Sequence, residues 1–175
     1  MIESKEAALR ILASLDRKLQ LKGRKDKLGF IILGGTALLI LKDHRVTEDI
    51  DVIILDVLEK EEVELLREHQ INNRVEGILG FPPKEDFINN MYKLNMPFEC
   101  IEVFIPDPVY LVLSKMFASR MYNKDKEDII NSGILEDIDF SKLEELYNEY
   151  RSYNSSPNYW RIEEIKEEYY KKKWI

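Results

Sequence analysis

The sequence predicts an α/β (α+β) fold, in which helices flank a small mixed β-sheet and the C-terminal half of the chain is helical. Three short apolar runs that suit buried strands lie at residues 28–33, 50–55 and 98–105. A short apolar segment that suits a helix separates the first two runs, amphipathic segments precede the first and follow the second, and helical patterns follow the third. A chain of 175 residues can bury a core without a disulfide, and the single cysteine, Cys100, excludes an intrachain one.

The first half of the chain is predicted to alternate helices with strands. Leucines recur at three- and four-residue steps over residues 3–22, which indicates an amphipathic helix that ends at Gly23. The apolar run 28–33 stops at a glycine pair, as a buried strand would. The elements that follow are a short helix over 36–42, a polar loop over 43–48, a strand over 50–55 and a helix over 59–70.

The second half is predicted to be mostly helical. Residues 71–96 show no clear pattern beyond one short strand near 75–79, and the third good strand covers 98–105. Asp107 and Pro108 then suit the N-cap and the first position of a helix. The predicted helices are 108–122, 124–131 with a stop at Gly133, 141–151 and 158–173.

Charge and hydropathy exclude several classes of protein. The net charge of −7 at pH 7 argues against a protein that coats long nucleic acid, although a local basic patch remains compatible with it. No apolar run approaches the roughly 18–20 residues of a membrane span, and the first residues do not resemble a signal peptide. We therefore expect a cytoplasmic protein with no membrane partner.

Two aspartates stand at the head of the second strand and share one of its faces. Because side chains alternate along a strand, the Cα atoms of Asp49 and Asp51 should lie about 6.6–6.8 Å apart with both carboxylates on one side. Magnesium is commonly held by one or two carboxylates together with substrate phosphates. Gly34, Gly35 and Thr36 begin the preceding helix, where backbone N–H groups bind anions. An ordinary turn and a solvated strand edge are the alternatives.

A third acid is expected on a strand next to these aspartates, about 4.8 Å away. Glu102 is the first choice, because it alternates with the apolar Ile101 and Val103 in the third strand. Glu99 is the alternative, although its position at the start of the strand also suits an exposed residue.

Together these motifs resemble the signature of the polymerase-β-like nucleotidyltransferase superfamily. Its glycine pair, its D-h-D strand (h is apolar) and its later h-[DE]-h strand are matched by Gly34-Gly35, Asp49-Ile50-Asp51 and Ile101-Glu102-Val103. The fuller pattern resembles the abortive-infection and toxin-type (AbiEii/MenT-like) members and related small domains. Its additional matches are Arg45, Thr47, Lys115, Asp125 and Asp128.

The resemblance covers about residues 28–131 and implies a nucleotidyltransferase-like domain over residues 1–135. Residues 136–175 would be a helical extension packed on the same domain. The family more often has Asp where this chain has Glu102, and residues 140–175 match no pattern of the family.

The resemblance implies transfer of a nucleoside monophosphate from an NTP to a tRNA or protein acceptor, with Mg²⁺ or Mn²⁺ as cofactor. Asp49, Asp51 and Glu102 would bind the metals. Glu102 would hold the metal that activates the hydroxyl of the acceptor. The nucleotide and its phosphates would contact Gly34, Gly35, Thr36, Arg45, Thr47 and Lys115, with Asp125 and Asp128 as secondary candidates. The biological setting it implies is a toxin–antitoxin or phage-defence pair, with an antitoxin as partner.

Less specific interpretations stay open for several of these residues. Lys115 could pair with Asp125 or Asp128 rather than with phosphate, and Arg45 could only brace its loop. Both histidines, His44 and His69, are expected at the surface. A non-catalytic module with a decayed nucleotidyltransferase fold, which binds nucleotide or a partner, is the alternative function. The nucleobase, the acceptor and the oligomeric state remain open.

Overall fold

The helices and strands of the computed structural model confirm the predicted fold class. The structure describes residues 1–75, 82–118, 124–153 and 161–174. Within them the elements are α1 (Lys5–Leu21), β1 (Leu28–Ile32), α2 (Gly34–Lys42), β2 (Ile50–Ile54), α3 (Lys60–Glu68), β3 (Ile71–Asn72), α4 (Lys84–Asn89), β4 (Met91–Lys93), β5 (Ile101–Pro106), α5 (Pro108–Met116), α6 (Lys124–Asn131), a 3-10 helix (Ile134–Asp137), α7 (Phe140–Tyr153) and α8 (Ile162–Lys173).

The strands form one mixed sheet in the order β3-β2-β1-β5-β4. β1 is central and buried along its whole length, which agrees with its continuous apolar sequence. It pairs antiparallel with β2 and parallel with β5, while β3 runs parallel to β2 and β4 antiparallel to β5. The end of β1, the start of β2 and the end of β5 therefore meet at one edge of the sheet, and the start of β5 lies at the opposite edge.

The helix ends follow the capping signals in the sequence. The Ser4 side chain accepts a hydrogen bond from the Ala7 N–H (3.1 Å) and begins α1, which buries its leucine stripe. Asp107 accepts a hydrogen bond from the Val109 N–H (2.9 Å) and begins α5, with Pro108 at its first position as predicted. Residues 109 to 116 of α5 are all buried. Among the described helices, none is long and apolar enough to cross a membrane.

Two strands have no clear signal in the sequence. β3 and β4, which flank the sheet, are only two and three residues long and fall in the stretch for which no pattern was evident. The helix predicted over 108–122 ends at Met116, with Phe117 as its C-cap. Residues 119–122, most of the predicted strand near 75–79 and the start of the predicted helix 158–173 lie outside the described residues. The division of the chain at residue 135 remains a prediction.

Candidate active site

A cavity of about 500 Å³ opens at the edge of the sheet where β1 ends and β2 begins. This volume falls within the range of about 300–1,000 Å³ that is usual for small-molecule sites. The glycine pair, both aspartates of the D-h-D motif and Asn72 line it, and α5 contributes Ser114 and Lys115. The structure thus gathers the local motif around one concave space.

The glycine pair is closely packed, Gly34 against the acidic strand and Gly35 against the loop that precedes it. Gly34 has a φ of +61°, and a Cβ atom at this residue would lie 2.7 Å from the Asp51 Oδ2 atom. A Cβ atom at Gly35 would lie 3.3 Å from both the Arg45 Nη2 atom and the Thr47 Oγ1 atom. The first N–H groups of α2, which have no intrahelical partner, therefore begin beside the Asp51 carboxylate.

Asp49 and Asp51 both line the cavity. The backbone around them is well anchored. The Asp49 carbonyl accepts hydrogen bonds from the Thr36 hydroxyl (2.8 Å) and the Thr47 hydroxyl (3.2 Å), and the Asp51 carbonyl accepts one from the Leu33 N–H (2.8 Å). Thr36 is buried, so its hydroxyl positions the acidic strand and does not face a ligand.

Glu102 does not reach this cavity, and the prediction that it completes the acid cluster is wrong. Glu102 pairs in register with Gly29, whereas the backbone of Asp51 is bonded to Leu33. Gly29 and Leu33 are four residues apart along the chain, or roughly 13 Å at about 3.3 Å per residue. The alternative, Glu99, is exposed just before β5 at the same far edge. The reason is topological, because β5 adjoins β1 rather than β2 and its start lies at the opposite edge.

The Glu102 side chain instead belongs to a surface ion pair. The Lys93 ammonium donates a hydrogen bond to its Oε1 atom (2.6 Å), and this contact lowers the pKa of the Glu102 carboxyl. The side chain of Glu102 is 34% exposed. An exposed pair of this kind contributes little to stability.

Asn72 occupies the place where the third acid was expected. It lies directly opposite Asp51 in the parallel β2–β3 pair, and its Nδ2 atom donates a hydrogen bond to the Asp49 Oδ2 atom (2.7 Å). One signal could have located it. A strand followed by a helix and a short turn usually leads to a parallel strand next to the first, so the residues just after α3 were candidates.

A network of charges centred on the buried Asp128 contributes Arg45, Lys115 and Asp125 to the wall of the cavity. The Lys115 ammonium on α5 donates hydrogen bonds to Asp125 (3.0 Å) and Asp128 (2.7 Å) of α6. The Arg45 guanidinium donates two more to Asp128, at 2.5 and 2.8 Å. Burial alone would raise the pKa of Asp128, but the hydrogen bonds from Arg45 and Lys115 outweigh it and lower this pKa to about 2.

This network bears on the interpretations that the sequence left open for Lys115 and Arg45, both of which line the cavity. Lys115 pairs with both aspartates and also lines the cavity together with Asp125. Arg45 directs two of its nitrogens at Asp128 from a backbone with a φ of +41°, a conformation that non-glycine residues rarely adopt. Arg45 therefore braces the loop before Asp49 against α6.

Neither histidine is a simple surface residue, so that prediction is wrong. His69 is buried between α3 and α1, with its Nδ1 atom 2.8 Å from the Leu65 carbonyl oxygen and its Nε2 atom 3.2 Å from the Ser14 hydroxyl. The His44 side chain is only 19% exposed, and its Nε2 atom lies 3.4 Å from the Asp128 carboxylate.

The donor set at the cavity suits a metal that arrives with a phosphate. Among the described residues, no group of three or more His, Cys, Asp or Glu side chains could hold a metal ion. Mg²⁺ needs only one or two carboxylates when water and substrate phosphates supply its remaining oxygen ligands. Asp49 and Asp51 beside the start of α2 fit that requirement, and Glu102 has no part in it.

A comparison with protein families identifies the family of this chain. The family model described as "Nucleotidyltransferase of unknown function (DUF6036)" matches residues 10–174 of the chain. This match confirms the predicted resemblance to nucleotidyltransferases, whereas the finer resemblance to abortive-infection and toxin-type members remains a prediction. No curated protein and no solved structure matches the chain.

Proposed function

The chain belongs to the DUF6036 family of nucleotidyltransferases of unknown function. We propose that it binds an NTP with Mg²⁺ or Mn²⁺ in this cavity, transfers the nucleoside monophosphate to a hydroxyl of an RNA or protein acceptor, and releases pyrophosphate. The observation that carries the proposal is the close approach of Gly34 to Asp51. It puts the N–H groups that would bind phosphate next to the carboxylates that would bind the metal.

Each wall of the cavity has a distinct role in this proposal. The backbone N–H groups of Gly34 and Gly35 bind the triphosphate, and Asp49 and Asp51 hold the metal. The bound metal would neutralise charge that develops on the phosphates during transfer. Lys115 is balanced by two carboxylates, so we assign it to positioning α6 and to the local electrostatic field.

Apolar residues in the same cavity suit the base and sugar of a nucleotide. Leu33, Val75 and Phe117 line the cavity together with the charged groups. A site with apolar walls and a few converging polar groups is the usual form of a small-molecule site. These contacts are not specific for one base, so all four nucleotides are tested.

The test is transfer of label from each of the four α-³²P NTPs, with Mg²⁺ or Mn²⁺, to total cellular RNA and protein. Asp51→Asn should abolish transfer. The matched control is Glu102→Gln, because it neutralises an acid that lies outside the cavity, and it should leave transfer unchanged. Absence of transfer by the wild type across all nucleotides, metals and acceptors would overturn the catalytic proposal.

A nucleotide-binding module without transferase activity is the second candidate, and Asn72 is the observation that favours it. An amide occupies the position next to Asp49 and Asp51 where a third carboxylate was expected. Calorimetry separates the two functions, because metal-dependent nucleotide binding without turnover supports the module.

We extend the leading proposal to a cytoplasmic toxin of a toxin–antitoxin or phage-defence pair, with an antitoxin as its partner. Its test is controlled expression in a bacterial host. The wild type should arrest growth and Asp51→Asn should not, and equal growth of both strains would contradict the toxin role.

A further inference from the structure

The side-chain amide of Asn72 has a defined orientation. Its Oδ1 atom accepts a hydrogen bond from the Arg74 backbone N–H (3.1 Å), and its Nδ2 atom donates one to the Asp49 Oδ2 atom (2.7 Å). A flipped amide would place its NH₂ group against the Arg74 N–H and its oxygen against the Asp49 carboxylate, which are two repulsive contacts. The two contacts together fix the nitrogen on the acidic side.

This orientation determines what Asn72 offers to the acid pair. Asp49 and Asp51 line one cavity, and two nearby carboxylates repel each other when no cation lies between them. The Asn72 NH₂ group is a donor that relieves part of this repulsion. An amide nitrogen is not a ligand for Mg²⁺ or Mn²⁺, and the amide oxygen is directed at the Arg74 N–H rather than at Asp49.

We propose that Asn72 takes the place of a third carboxylate, that it holds Asp49 in position in the cation-free chain, and that it limits the acid pair to one divalent cation. A site that takes two cations needs further carboxylate oxygens to bridge and balance them. Here the neighbouring strand supplies an N–H donor instead. Asn72 is thus a positioning residue for Asp49 and the determinant of how many cations bind.

The chain offers a matched control in the next residue. Asn73 is exposed, so Asn73→Asp adds the same charge one position along, away from the acid pair. Asn72→Ala removes the donor, and Asn72→Asp replaces it with a third negative charge.

The first experiment tests whether the hydrogen bond from Asn72 to Asp49 stabilises the chain. It measures the Tm of thermal unfolding in EDTA without nucleotide. Asn72→Ala should lower the Tm by about 3–12 °C, the effect of losing one hydrogen bond to a carboxylate in a chain of this size. Asn72→Asp should lower it further because it adds repulsion, and Mn²⁺ should restore the loss. Asn73→Asp should stay near the wild type. Unchanged Tm values in both Asn72 variants would overturn the role in the cation-free chain.

The second experiment counts cations, and it rests on the proposed function because it needs bound nucleotide. Electron paramagnetic resonance measures free Mn²⁺ during titration of the chain at saturating, non-hydrolysable NTP analogue. We expect one Mn²⁺ per chain for the wild type and Asn73→Asp, and two for Asn72→Asp. Two Mn²⁺ ions on the wild type, or one on a folded Asn72→Asp variant, would overturn the limit of one cation.

The two experiments separate this inference from the proposed function. A wild type that binds neither nucleotide nor Mn²⁺ would overturn the proposed function and the cation count together. The unfolding series in EDTA would still decide whether Asn72 holds Asp49, because it requires no ligand.

Discussion

Replacement of Asp128 by asparagine should weaken the ion pairs with Arg45 and Lys115 and lower the free energy of unfolding. Asp128 is 1% exposed and accepts hydrogen bonds from Arg45 and Lys115. Loss of one member of a buried ion pair costs about 3–5 kcal/mol, since the remaining charge stays buried without its partner. Asp125 still pairs with Lys115, so we expect about 3 kcal/mol, near the lower end of that range.

The assay is urea denaturation of the wild type and Asp128→Asn at neutral pH, supported by thermal unfolding. A loss of about 3 kcal/mol corresponds to a Tm lower by about 6–12 °C for a chain of this length. Lys171→Gln is the control, because Lys171 forms an i,i+4 pair with Glu167 in which both side chains are about two-thirds exposed. That variant should lose less than about 1 kcal/mol. A loss below about 1 kcal/mol for Asp128→Asn would refute the assignment of a bracing network.

The pH dependence of the same pair of proteins gives an independent check. The pKa of Asp128 is lowered from its ordinary value of 3.8 to about 2 in the folded chain. A lowered folded pKa stabilises the fold above the unfolded pKa, and this stability is lost as pH falls from about 4 to about 2. At about 1.36 kcal/mol per pKa unit the loss is about 2 kcal/mol. Asparagine imitates the protonated carboxyl, so the free energies of unfolding of wild type and Asp128→Asn should become closer by about 2 kcal/mol as the pH falls from about 4 to about 2. A difference that stays constant with pH would contradict this prediction.

Three further substitutions test other parts of the structure. Gly34→Ala should lower stability and weaken nucleotide binding, because the new Cβ atom would lie 2.7 Å from the Asp51 carboxylate. The control is Gly23→Ala, which should show only the cost of its positive φ because no atom lies within 4 Å of the added Cβ. Equal nucleotide affinities of the two variants would contradict the close packing at Gly34. Asp16→Asn should lower the free energy of unfolding, measured with denaturant, by about 2–4 kcal/mol. The reason is that this buried carboxylate accepts hydrogen bonds from three backbone N–H groups before and at the start of β5. A loss under about 1 kcal/mol would count against that role. Glu102→Gln should change neither nucleotide binding nor transfer, and a strong loss of either would return Glu102 to the site.

The central strands could be predicted because their signals are local. β1 and β2 are continuous apolar runs, and the caps of α1 and α5 use residues whose side chains bond to the next turn. β3 and β4 could not be predicted in the same way. Strands of two and three residues contain too few positions for an alternation to appear, and they form because the neighbouring strands present unpaired edges.

In the candidate site too, some contacts follow from local sequence and others depend on the tertiary structure. Sequence by itself determined that Gly34 and Asp51 would lie together, because only a short helix and a loop separate two apolar strands that pair side by side. Only the tertiary structure decided which residue adjoins the acid pair. The strand order places Asn72 beside Asp51, whereas Glu102 lies beside Gly29, near the opposite end of β1. Which strands become neighbours depends on the packing of the whole sheet rather than on any local sequence pattern. The same holds for Lys115 and Asp128, whose pairing follows from the packing of α5 against α6.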